Sequence, residues 1–234
     1  MDNINKQYFP EAYECLEYQG LDVLPGYLMV EEYLATTLRV LELATSHYTR
    51  VCVLRFDLRL PERLDCPDFP SEYDTGLITE FILSLKSQNR ARCKRKKKEG
   101  KLLHESNIRY VWAREIHHSN QPHYHVALLV NKDVYRGFGN YLSDKESLGG
   151  MIIEAYARAL QRPAEEIGQL VNFATGSSRD ERNENDDPPV YYLDKNSPEF
   201  QQQLNMVFRR LSYLCKLETK PYGNKGKNFV GSRY

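Results

Sequence analysis

What this chain lacks narrows its chemistry first. No apolar run approaches the roughly 18 residues that would suggest a membrane span, and the first residues, Met1-Asp2-Asn3-Ile4-Asn5-Lys6, show no basic-then-apolar leader pattern. The five cysteines (Cys15, Cys52, Cys66, Cys93 and Cys215) are scattered and form no CxxC pair. Neither a cysteine zinc site nor a disulfide framework is therefore expected, and a cytoplasmic, reducing location fits. No GxxxxGK[ST] phosphate loop is present, so no nucleotide-driven motor of that kind is expected. There is no internal repeat and no clear linker. Net charge is zero, which on its face argues against nucleic acid.

What is there corrects that last impression. The charges are segregated along the chain. Arg90 to Lys101 reads RARCKRKKKEGK, eight basic residues against one acid. From Lys216 onward, Lys220, Lys225, Lys227 and Arg233 face only Glu218, while acid collects in Asp180 to Asp187 (DERNENDD). Local basic surfaces, rather than net charge, bind phosphates. Each basic run on its own is equally well read as a solvated helix end or a tail.

The 234 residues, 41% apolar and 27% charged, are enough for one large domain or a domain with an extension. Residues 1–27 read as an irregular arm. Residues 28–46 read as a helix, with Leu28, Leu34, Leu38 and Leu41 at helical spacing. The arm and helix, 1–46, are set apart from a domain spanning 47–234. In that domain, Thr49–Leu60 reads as a strand filled on both faces and stopped by Pro61. Gly76–Lys98 reads as a long helix. Asn107–His117 and Pro122–Asn131 read as a hairpin. Asp144–Leu160 is expected as a helix, then strands over Gly168–Thr175 and Pro189–Leu193. A last helix is capped by Ser197-Pro198 and runs to about Thr219. Hairpin strands between helices predict an α+β fold, an antiparallel sheet with helices on one face, of ferredoxin-like or RRM-like type.

The most informative segment is Pro122-His123-Tyr124-His125-Val126-Ala127-Leu128-Leu129-Val130. On a strand, alternate side chains share a face, so His123 and His125 project together, opposite the apolar stripe Tyr124, Val126, Leu128 and Val130. Two imidazoles so spaced can hold one divalent ion, although inert strands contain the same pattern. Glu115 lies on the preceding strand. If it opposes His123 or His125, all three point to one side. A one-residue slip brings Arg114 and Ile116 there instead, and His117 shares the face of Glu115 in either case. Two imidazoles and a carboxylate suit Mg²⁺ or Mn²⁺. Asp57 is a further acid, read more simply as a polar residue near a strand end.

The second segment is Tyr213-Leu214-Cys215-Lys216 in the last helix. Its apolar stripe is Phe200, Leu204, Val207, Leu211 and Leu214. Tyr213 and Lys216 lie off that stripe, on the side of Arg209 and Lys220. Neighbouring cations stabilise phenolate and attract phosphate. With 17 tyrosines in the chain, one beside a lysine is also expected by chance.

Taken together, LRFDLRLP (Leu54–Pro61), VWAREIH…PHYHVALLVN (Val111–Asn131) and RRLSYLCKLETKP (Arg209–Pro221) resemble the HUH endonuclease superfamily of single-strand DNA nickases. They look most like single-tyrosine rolling-circle replication initiators of the inovirus-type, YagK/YfjJ-like family. The resemblance spans about 160 residues and leaves 1–45 unplaced. It implies that 47–234 is an HUH-type catalytic domain in which His123 and His125, with Glu115, hold a divalent metal, Mn²⁺ or Mg²⁺. Tyr213 is then the nucleophile and Lys216 its helper. The implied substrate is single-stranded origin DNA, the implied partners a host helicase and polymerase, and no membrane is involved. Two other readings stand beside it: a DNA-binding regulator that has lost catalysis, and a hydrolase of small phosphoesters that uses the histidines but not Tyr213.

Overall fold

The computed structural model of the chain describes residues 10–61, 76–101, 104, 106–116, 122–173, 188–222 and 226–233. In chain order the elements are β1 (Ala12–Tyr13), β2 (Glu17–Tyr18), β3 (Leu21–Asp22), β4 (Met29–Val30), α1 (Glu31–His47), β5 (Arg50–Arg59), α2 (Gly76–Lys98) and β6 (Arg109–Ile116). They continue with β7 (Pro122–Asn131), α3 (Leu148–Leu160), α4 (Ala164–Ile167), β8 (Val171–Asn172), β9 (Val190–Asp194), α5 (Phe200–Ser212) and β10 (Phe229–Gly231).

The main sheet runs β10-β6-β7-β5, with β8 and β9 both on the outer edge of β5, and every pairing is antiparallel. The fold is therefore α+β with an antiparallel sheet, as expected. The expected one-sided cover of helices needs correction, because helices lie on both faces. Leu54, Phe56, Trp112, Tyr124, Val126 and Leu128 pack with Ile78, Phe81 and Leu85 of α2 and Ile152, Ala155 and Tyr156 of α3. Val51, Val53, Val111, Ala113, Ala127 and Leu129 pack on the other side with Leu34, Leu38 and Leu41 of α1 and Val207, Phe208 and Leu211 of α5. The physical reason is in the strands. β5 and β7 are apolar at both parities, and a strand buried on both faces needs cover on both.

Several boundaries moved. The last helix starts at Phe200, with the Ser197 hydroxyl accepting from the Glu199 N–H at 3.2 Å, and it stops at Ser212 rather than near Thr219. A tight turn, Tyr213–Cys215, follows, and Lys216 is already extended. The strand expected over Gly168–Thr175 shrinks to β8, because Gly168–Leu170 winds into a turn behind α4, and residues 174 and 175 lie outside the described residues. The acidic run 180–187 also lies outside them. The arm expected to be irregular carries β1–β3, and the stretch read as a helix from residue 28 opens on β4 before α1 begins at Glu31; they pair as β1-β4 and β2-β3.

The C-terminal stretch read as a basic tail holds an edge strand, β10, with Phe229 opposite Ala113. Its Gly231 lies against α1. A Cβ there would stand 2.5 Å from Thr36 Cγ2 and 3.0 Å from Val40 Cγ2. Gly231→Val should therefore push α1 off the sheet edge and cost about 1–3 kcal/mol in urea unfolding. An unchanged midpoint would show that this edge yields freely.

Candidate metal and tyrosine site

The face of the sheet toward α1 and α5 becomes polar at one end, and register alone builds the site there. Opposed residues on antiparallel strands share a side. Glu115 lies opposite His123, the register anticipated as one alternative, and His125 lies between Ala113 and Asp57. Arg59 opposes His123, Arg55 opposes Ala127, and Asn172 opposes Asp57. The site is thus a lattice of side chains on four neighbouring strands, held by a buried sheet. His117 lies outside the described residues.

The donor atoms converge. His123 Nε2 and His125 Nε2 are 3.2 Å apart, and His125 Nε2 is 3.4 Å from Glu115 Oε2. One ligand atom from each of the three falls within 4.8 Å of the others. Two ligands at about 2.1 Å from a hard divalent ion and at right angles are about 3.0 Å apart. The two closest separations therefore fit adjacent positions on one divalent ion, which two imidazoles and a carboxylate could hold.

Behind these donors stand residues that set their charge. Asp57 Oδ1 accepts from His125 Nδ1 at 2.5 Å, which turns Nε2 toward the other donors. Arg55 Nη2 is 4.0 Å from the same carboxylate oxygen. Burial alone would raise the pKa of Asp57, but His125, then Arg55 and His123, outweigh it and hold the carboxyl well below its ordinary range. For His125, burial favours the neutral ring, yet Asp57 and Glu115 together raise its pKa.

Glu115 is fully buried and is the most heavily engaged acid in the site. Lys220 Nζ donates to its Oε1 at 3.0 Å, Thr219 Oγ1 donates to its Oε2 at 2.7 Å, and Lys216 Nζ lies 3.1 Å from Oε2. Burial pushes its pKa up, but His125, Lys220 and Lys216 overcome that and hold it far below the carboxylate range. Lys220 is pushed down by its own burial, which Glu115 only partly offsets.

Tyr213 and Lys216 join this cluster by a different geometry from the one expected. Helical spacing predicts both on the cation-bearing side of a continuous helix. Instead the turn after α5 points both inward, leaving Tyr213 5% and Lys216 3% exposed. The ammonium of Lys216 lies 3.8 Å from the centre of the Tyr213 ring, and the guanidinium of Arg55 4.9 Å. The His125 ring meets the Tyr213 ring edge-on at 5.5 Å. The N-terminal arm holds the turn in place. Met29 pairs with Lys216, the Leu217 N–H donates to Leu28 O at 2.7 Å, and Tyr27 packs edge-on against Tyr213.

All five residues singled out from the sequence (Glu115, His123, His125, Tyr213 and Lys216) thus meet in one place. Two expectations about the cations need correction. Lys220, read as part of a basic surface from Lys216 onward, has its ammonium buried on Glu115. The Arg90–Lys101 run lies on α2, which packs on the opposite face of the sheet from the histidines. Asp57, Thr219 and Arg55 were not given their roles from the sequence. The available signal was Asp57 and Arg55 interrupting an apolar strand at the parity that faces the histidines, which only the β5–β7 register makes legible.

Comparison with known proteins gives the lineage. No solved structure matches the chain. It is 33% identical over 202 residues to the uncharacterized protein YagK of Escherichia coli (strain K12), covering 85% of this chain and 90% of YagK. It is 29% identical over 200 residues to the uncharacterized protein YfjJ of the same organism, covering 83% of this chain and 90% of YfjJ. The family described as the YagK/YfjJ C-terminal domain matches residues 25–232, from the arm that braces Tyr213 to the edge strand β10, and the chain belongs to that family.

Proposed function

We propose that this protein is a metal-dependent nickase and ligase of single-stranded DNA, of the HUH type, which initiates rolling-circle replication through a 5′-phosphotyrosine on Tyr213. One observation carries the reading. Lys216 touches both the Tyr213 ring and Glu115, the carboxylate that completes the His123/His125 donor set, so a phosphate-binding site and a nucleophile share one cation.

His123, His125 and Glu115 would hold a divalent ion, which supplies polarisation of a scissile phosphate when bound. The chain's own residues do the rest. The Tyr213 hydroxyl gives up its proton and its oxygen bonds to phosphorus. The bond from phosphorus to the 3′ oxygen breaks, and that oxygen takes up a proton to leave as a free hydroxyl. Lys216 and Arg55 stabilise the negative charge on the phenolate and on the departing oxygen. Because one ester replaces another, the reverse attack by a 3′-hydroxyl rejoins the strand. Asp57 holds the His125 ring in its tautomer and orientation.

The reading is tested with single-stranded oligonucleotides tiling the DNA around the gene, with Mn²⁺ or Mg²⁺, on a denaturing gel. A protein–DNA adduct that requires metal and disappears in His125→Ala is expected. Asp57→Asn should keep the fold and weaken Mn²⁺ binding about 10–100-fold by calorimetry, because it loosens a metal-binding imidazole. Unchanged affinity would remove Asp57 from the site.

The burial of Tyr213 favours one second reading, a DNA-binding regulator descended from such an initiator. It predicts salt-dependent DNA binding, no adduct with any metal, and no effect of Tyr213→Phe.

A further inference from the structure

The end of α2 carries a charge density that the fold does not require. Fully buried side chains of this helix end at Asn89, and over residues 90–98, the next roughly 13 Å at 1.5 Å per residue, only Arg92, over the Tyr135 ring at 5.2 Å, Cys93 and Lys96 keep partial cover. Seven of these nine residues are cations. A helix C-terminus favours positive charge in its last turn. Arg90 and Arg92 stand earlier than that, and Arg90/Lys94, Arg92/Lys96 and Lys94/Lys98 are like-charge pairs at a spacing that destabilises a helix. Nearby acids neutralise little of this. Glu99 takes Lys96 and Lys101, and Glu146 takes Arg95. Arg90, Lys94, Lys97 and Lys98 are exposed and form no ion pair with the described residues. Lys145 borders the same hollow as Arg92 and Arg95, as do Glu146 and Arg158, the latter paired with Glu154.

This surface is remote from the tyrosine site. It lies on the other side of the sheet and at its other end. Asn89 donates to the carbonyl of Ser106, whose hydroxyl accepts from the Asn131 N–H, at the far end of β7 from His123. Eight residues at about 3.3 Å each separate Asn131 from His123, roughly 26 Å. A single strand seated on the histidines would have to wrap round the sheet to lie along both, since α2 packs on the opposite face. The run Arg90–Lys101 also contains no aromatic residue. Single-strand binding commonly adds aromatic stacking beside the phosphates, whereas non-specific duplex binding proceeds essentially through phosphate contacts. A helix with side chains is about 10–12 Å across, close to the roughly 12 Å width of a major groove.

We infer that the projecting end of α2, residues 90–98, is a second nucleic-acid surface that grips the backbone of double-stranded DNA beside the single strand cut at Tyr213. The inference rests on the reading of the protein as acting on DNA. It assigns duplex affinity and strand cleavage to opposite faces of one sheet.

The test uses the full-length chain with Arg90, Lys94, Lys97 and Lys98 all changed to Gln. Fluorescence anisotropy follows a short random-sequence duplex at several salt concentrations. Each lost phosphate contact lowers the slope of log affinity against log salt by about 0.9. The variant should lose a slope of about 3–4 and bind the duplex at least about tenfold more weakly near 0.1 M salt. Adduct formation on a short single-stranded oligonucleotide should equal that of the wild type. Unchanged duplex affinity and slope would overturn the proposal, as would equal weakening on duplex and on single strand. If the wild type forms no adduct at all, the nickase reading fails, while the duplex measurement still decides the role of α2.

Discussion

Tyr213→Phe should lose covalent attachment to DNA by at least about a thousandfold while remaining folded. The substitution removes the oxygen proposed to attack and keeps the ring. That ring is what touches Lys216, Arg55, His125 and Tyr27. Stability should therefore fall by only about 1 kcal/mol, the scale of one hydrogen-bonding hydroxyl. Metal affinity and duplex affinity should match the wild type, since neither the donor set nor α2 changes. The check is a quantitative gel of adduct against time, beside a melting curve. A variant that still forms adduct would move the nucleophile to another residue.

Glu115 should prove the most consequential residue for the fold of this site as well as for its chemistry. Its carboxylate is the shared partner of two buried ammonium groups, Lys216 and Lys220. Glu115→Ala leaves both without it and should cost about 3–5 kcal/mol in urea unfolding. The double variant Glu115→Gln/Lys220→Met should be more stable than Glu115→Gln alone, because it removes a buried charge together with its partner. A Glu115→Ala protein as stable as the wild type would mean that the lysines reorient to water.

The same groups set the dependence on pH in the metal-free protein. Glu115 and Asp57 are depressed in the fold. Their contribution is present above the ordinary carboxylate value near pH 4 and is lost as pH falls. His125 is raised, so its contribution is present below about pH 6.5 and is lost as pH rises through its folded value. Stability from Glu115, Asp57 and His125 together should peak between about pH 4.5 and 6.5, and Glu115→Gln should flatten the acid side.

Period and parity made much of this molecule legible from its sequence. β7 and α2 have the bounds that alternation and helical spacing predicted, and His123 and His125 share the face opposite the Tyr124 stripe. The β6–β7 pairing could be narrowed to alternatives, and the one that brings Glu115 to His123 is the one the chain adopts. What sequence could not give was long-range. The pairing of Asp57 with His125 joins strands 68 residues apart, and that of Lys220 with Glu115 spans 105. Nothing local in Leu217-Glu218-Thr219-Lys220 marks its lysine as buried. The turn after Ser212 is set by pairing with Met29, so helical spacing misplaced Tyr213 and Lys216 toward solvent. β10 is three residues long within a basic stretch and carries too little pattern to be read.

The central claim is that Tyr213 becomes joined to the 5′ end of a cut strand. The most direct measurement isolates the protein–DNA adduct, digests it with nuclease and trypsin, and maps the added mass. The account predicts a nucleotide 5′-phosphate on the tryptic peptide Leu211–Lys216, at Tyr213. A phosphate on any other residue, or cut DNA with a free 5′-phosphate and unmodified Tyr213, would contradict it.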